Sequence, residues 1–132
     1  MKSREELIRR RAGQKRFQVD EKRRRVIQIE PMIAEFERIA AALDQEIKAE
    51  QDRSRIHDPA HFAYSTYAKA AMQRRDNLKR SAADLKLQLD DAKAVFAEAF
   101  EEMKKLELLD DHHHMREGEE PLPMMTNAVP TG

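Results

Sequence analysis

A heptad of apolar residues runs through most of this chain and decides what it can fold into. Val19, Val26, Ile33, Ala40 and Ile47 recur every seven positions, and Ile29, Phe36 and Leu43 form a second series three residues later. These are the a and d positions of a coiled-coil seam. A matching pattern follows a break: Leu78, Leu85, Ala92, Ala99 and Leu106 at d, interleaved with Ala82, Leu89, Phe96 and Met103 at a. The spacing predicts two long helices joined by a reversal.

Composition agrees with that reading. Ala, Glu, Lys, Leu and Arg fill 68 of the 132 positions, about the half that marks coiled coils and long helices. With 5% aromatic residues, no Trp and three Gly, the chain is poor material for a compact α/β enzyme. Cysteine is absent, which excludes disulfides, thiolate nucleophiles and cysteine-based zinc sites together. No stretch approaches the roughly 20 apolar residues that cross a bilayer, and the N-terminus lacks the apolar run of a secretory leader. The expectation is a cytoplasmic protein that does not span a membrane.

The break lies at Asp58-Pro59, where Asp58 is placed to cap a helix whose first turn accepts proline. The predicted organisation is all-α: a first helix over residues 1–55, a turn over 56–60, a second helix over 61–111, and a disordered tail over 112–132. Each helix would reach roughly 75 Å at 1.5 Å per residue. That is too long to stand alone on one apolar stripe, so the short turn should fold them into an antiparallel two-helix coiled-coil hairpin.

A hairpin centred on residue 59 pairs positions whose numbers add to 118. Ile47 then meets Ala71, Leu43 meets Arg75, Ala40 meets Leu78, Phe36 meets Ala82, Ile33 meets Leu85, Ile29 meets Leu89 and Val26 meets Ala92. Every a faces a d, and large side chains alternate with small ones. Towards the open end the seam turns polar, with Lys22 expected over Phe96 and Lys15 opposite Met103, their stems covering apolar surface. Pro31 falls on the outer face, where a kink rather than a break is expected. From His112 onwards the periodicity stops, and three of the five prolines gather there.

The formal net charge is zero, with 25 basic and 25 acidic residues, which argues against bulk polyanion binding and makes a nucleic-acid partner the weakest candidate. The charge is nonetheless polarised. Residues 1–25 hold eleven Lys/Arg against four Asp/Glu, and residues 98–120 hold nine Asp/Glu against three Lys/Arg. In a hairpin these blocks lie side by side and set orientation through flanking ion pairs. A surplus of basic side chains on the outer face, drawn from Arg9, Arg10, Arg11, Arg16, Arg23, Arg24 and Arg25, is the candidate surface for an acidic partner.

Phe62, Tyr64 and Tyr67 cluster just after the turn in FAYSTY. They either pack the loop onto the second helix or form an aromatic docking point. His57 and His61 stand four apart, and His112, His113 and His114 are adjacent, but the former straddle the turn and the latter point apart on a helix. No catalytic residue, metal site or cofactor is expected, since no carboxylate sits in apolar surroundings that would raise its pKa.

Several segments together carry a family resemblance: LIRR near the start, RFQVDEKRRR (16–25), IAEFERIAAALDQEI (33–47), DPAHFAY (58–64), QRRDNLKRSA (73–82) and AEAFEEMKKLELLD (97–110). Over residues 4 to 110 the chain resembles the alphaproteobacterial form of the FliJ family of flagellar type III export proteins. The resemblance implies an antiparallel coiled coil similar to the central stalk of rotary ATPases. It also implies partners: the flagellar export ATPase ring, the cytoplasmic domain of the export gate, and export chaperones. The implied place is the cytoplasm, peripheral to the inner membrane at the flagellar base, in flagellum biogenesis, motility and chemotaxis. The chain departs from the family pattern at Gly13-Gln14, at Pro31, and after Asp111, where a continued charged helix is missing from the sequence pattern. Alternative readings are a chaperone-like clamp for export substrates and a generic coiled-coil scaffold.

Overall fold

The computed structural model describes residues 3–119. It is all-α: α1 spans Arg4–Ser54 and α2 spans Thr66–Glu119, packed against each other in two compact units. One unit combines residues 3–24 with 93–119, the other comprises Arg25–Ala92.

Local chemistry explains where the helices begin and end. Ser3 caps α1, its hydroxyl accepting from the Glu6 N–H at 3.1 Å while its carbonyl accepts from Leu7 N–H at 3.2 Å. Glu5 and Glu6 in the first turn suit the positive end of the helix dipole. The helix runs on through the exposed Pro31, so the proline does not break it, as expected. At its C-terminus, Arg55 takes a left-handed φ of 62° and its N–H still reaches the Gln51 carbonyl at 2.8 Å. That conformation turns the chain off the helix axis.

The connection covers residues 55–65, longer than the expected 56–60. Asp58 caps a turn rather than a helix: its carboxylate accepts from Ala60 N–H at 2.9 Å and its carbonyl from His61 N–H at 3.0 Å. Pro59 thus takes the second position of a β-turn, where its fixed φ serves as well as at a helix start. A second turn follows, closed by Tyr64 N–H onto the His61 carbonyl at 3.0 Å. The cap of α2 is Ser65, whose hydroxyl accepts from Ala68 N–H at 3.1 Å. At the other end α2 extends to Glu119, so residues 112–119, assigned to the tail on sequence, are helical. The rest of the expected tail, 120–132, lies outside the described residues.

In the unit Arg25–Ala92 the flanking contacts fix the register. Asp44–Lys79 at 3.8 Å and Glu37–Lys86 at 2.8 Å join residues whose numbers add to 123. Arg25–Gln88 at 3.2 Å and Glu46–Tyr67 at 3.0 Å join residues adding to 113. These are the e–e′ and g–g′ pairs on either side of an a–d′ seam at 118, the expected antiparallel register. Ile29, Ile33, Ala40, Leu43, Ile47, Ala68, Ala71 and Ala82 are buried along it. Leu43, Ile47 and Ala71 form a buried cluster, with Ile39, Met72 and Leu78 packed against it. Arg75, in the layer of Leu43, escapes the apolar seam sideways: its guanidinium reaches Asp44 at 2.8 Å and Asp76 at 3.1 Å. The hydrogen bond to Asp44, chiefly, raises its pKa further.

In the other unit Ala12, Val19 and Ala99 are buried. Arg16 and Glu107 bond at 3.1 Å, and Lys15 pairs with Glu102. Phe96 carries the guanidinium of Arg23 5.4 Å from its ring centroid, a cation over the ring from the position next to Lys22. Cation–π attraction favours the planar guanidinium over a lysine stem at this spot. Phe96 also tilts against Phe100 at 6.0 Å.

Candidate functional site

The ten residues singled out on sequence divide into those bound within the fold and those left outward. Of the basic group, Arg9 pairs with Glu5 one turn away at 3.4 Å. Arg16 is tied to Glu107, Arg25 to Gln88, and Arg23 both to Asp20 at 3.1 Å and to the Phe96 ring. Arg10, Arg11 and Arg24 form no ion pair or hydrogen bond among the described residues. Arg11 borders a shallow depression of about 210 Å³ with Gln14, Lys15, Gln18 and Leu106.

Arg10 and Arg24 share one phase of α1, fourteen residues apart, and Phe17 stands midway between them with 61% of its surface exposed. Residues spaced by seven fall on one stripe roughly 10 Å apart. The outer face of this unit therefore presents cation, aromatic, cation in line. Sequence reasoning passed over Phe17 because it lies off the apolar seam. That offset was the available signal: an f-position phenylalanine among charged neighbours has no place in a coiled-coil core.

The aromatic run after the turn splits three ways. Tyr64 is buried, its hydroxyl accepting from Gln51 Nε2 at 2.7 Å and donating to Met72 Sδ at 3.4 Å. It anchors the loop and is not open to a partner, which corrects its assignment to the docking group. Tyr67 lies across α1, donating to Glu46 Oε2 at 3.0 Å, and that hydrogen bond, followed by the carboxylate's charge, raises its pKa above the ordinary phenol value. Phe62 projects fully, 96% exposed, stacked on His61 with ring centroids 4.7 Å apart. The imidazole is held in turn, its Nδ1 accepting from Ala63 N–H at 3.0 Å. The ring is thus presented on a backbone already pinned by two successive turns.

Near the same loop, Glu50 accepts from Ser65 Oγ at 3.0 Å and pairs with Arg53. The arginine bond is the main reason its carboxyl titrates below the ordinary range. His57 faces Asp52 at 3.2 Å, away from the bonding partners of His61. Among the described residues no three His, Asp or Glu side chains converge in a metal-like set, and no helix is long and apolar enough to cross a membrane. His113 and His114 have side chains outside the described set.

The chain matches no family model, no curated protein and no solved structure.

Proposed function

We propose that this protein is a non-enzymatic stalk and adaptor of the flagellar type III export apparatus, acting between the export ATPase ring and the cytoplasmic domain of the export gate. The observation that carries the reading is the Arg10–Phe17–Arg24 stripe on the outer face of α1, while of the neighbouring candidate arginines Arg9, Arg16, Arg23 and Arg25 are each bound to a residue of the hairpin. Such a stripe suits an acidic partner surface containing an apolar recess, because the two guanidinium groups steer approach while the ring supplies desolvated contact. The exposed Phe62 on its pinned loop gives a second point of attachment, facing the gate or an export chaperone. The hairpin holds these surfaces in fixed relation to their own helices, and the ATP chemistry belongs to the ring.

The test is steady-state ATP hydrolysis by the purified flagellar export ATPase titrated with this chain. Saturable stimulation is expected, lost when Arg10 and Arg24 are both changed to Glu while far-ultraviolet circular dichroism is unchanged. An ATPase rate indifferent to the wild-type chain at every concentration would overturn the reading.

A further inference from the structure

Within the unit Arg25–Ala92, one face of the hairpin carries a groove of about 380 Å³. Its floor is four alanines, Ala40 and Ala41 from α1 with Ala82 and Ala83 from α2. Its rims are ion-paired: Glu37 and Asp44 along α1, Lys86 and Lys79 along α2. Each residue of α1 in this set faces one of α2 at the same height, so one wall is wholly acidic and the other wholly basic. With nothing beyond Cβ on the floor, a further pair of helices can approach more closely than over leucine layers. The b-position line continues through Ala34 to Ile27, which leaves 56% of its surface in water.

We propose that this face is the self-association surface of the protein, and that two copies close on it into an antiparallel four-helix bundle. The wall charges choose both the occupant and its orientation. An occupant must offer cations to α1 and anions to α2, and a second copy does so under only one of the two symmetric face-to-face arrangements. With the two-fold axis parallel to the helices, α1 of each copy lies over α2 of the other. Glu37 then lies between its own Lys86 and Lys86 of the second copy, and Asp44 likewise between two Lys79 side chains. With the axis across the helices, acid would meet acid and base would meet base, a like-charge contact that disfavours association. The bundle is therefore isologous, with both loops at the same end. This inference does not depend on the export reading.

Charge exchange tests it on the full chain. Sedimentation equilibrium should give a dimer for the wild type. Glu37→Lys with Asp44→Lys should give a monomer, as should Lys79→Glu with Lys86→Glu, because each places like charges across the interface. An equimolar mixture of the two variants should recover the dimer, since every cross-copy pair is again opposite. These side chains keep 44–59% of their surface exposed, so their intrachain pairs contribute little to folding, and circular dichroism verifies that each variant stays helical. Should a reversal unfold the hairpin, Glu37→Gln with Asp44→Gln is expected to weaken dimerisation about tenfold. A wild-type monomer at all concentrations, variants that dimerise as the wild type does, or a mixture that stays monomeric would each overturn the proposal.

Discussion

Gln51 and Tyr64 fasten the loop to the helix pair: the amide donates to the phenol oxygen at 2.7 Å, and the same hydroxyl donates on to Met72 at 3.4 Å. Tyr64 is the buried aromatic of this unit, and its ring and hydroxyl can be separated by mutation. Tyr64→Phe should cost about 1 kcal/mol, the net worth of a hydrogen bond. Tyr64→Ala should cost about 3–5 kcal/mol by opening a cavity under the loop. Urea denaturation followed by circular dichroism measures both, and equal losses for the two variants would show that the packing is irrelevant.

Arg55 holds a left-handed φ of 62° at the end of α1 with no glycine to relieve it. An L-residue in that region is disfavoured by roughly 1–2 kcal/mol through contact of Cβ with the following carbonyl. Arg55→Gly is therefore expected to raise stability by about 1 kcal/mol, offset in part by the freer unfolded chain. Arg55→Val, β-branched, should lower it. The midpoint of urea unfolding reads the sign directly.

Gly13 is helical and unneeded as a glycine. A Cβ built there meets only the tip of Arg16, at 3.8 Å, an ordinary contact. Gly13→Ala should stabilise α1 by about 1 kcal/mol. Thermal unfolding should move upward, and a downward shift would reveal a neighbour that the alanine displaces.

Tyr67 should titrate above the ordinary phenol value of about 10, because its hydroxyl donates to Glu46 and the phenolate would lie beside that carboxylate. A folded pKa raised above the unfolded one stabilises the fold below the unfolded pKa and loses that contribution as pH rises through the folded value. The effect belongs to alkaline solution and leaves neutral pH untouched. With two tyrosines and no tryptophan, phenolate absorbance resolves it: the step that Tyr67→Phe abolishes is the Tyr67 titration, and Glu46→Gln should move it to lower pH.

The residues of the candidate surface were only partly legible in the sequence. The basic block of residues 1–25 was evident from composition, but which guanidinium groups stay outward depends on where the acidic residues of α2 fall. Arg16 is taken by Glu107 and Arg25 by Gln88 through e and g positions, whereas Arg10 and Arg24 sit at f and form no ion pair or hydrogen bond among the described residues. Phe62 and Tyr64, two residues apart in one aromatic run, have opposite fates: one is buried and hydrogen-bonded, the other open to water. Aromatic content cannot distinguish them, because the difference lies in which one the two loop turns rotate onto Gln51.

What the amino-acid sequence determined by itself was everything periodic: two helices and their a-to-d pairing, because each heptad repeats the same constraint. Among registers seven apart, the place of the turn near residue 59 then selected the seam at 118 in the unit Arg25–Ala92. What only the tertiary structure decided was everything that occurs once. Asp58-Pro59 is as compatible with a β-turn as with a helix start, and the choice went to the turn, with Tyr64 buried onto α1 and Ser65 capping α2. Phe96 lies opposite several basic neighbours, and only the folded pair shows the guanidinium of Arg23 over its ring. Repetition makes a local preference legible in one dimension; a single contact between distant residues has no such redundancy and is settled only when the two surfaces meet.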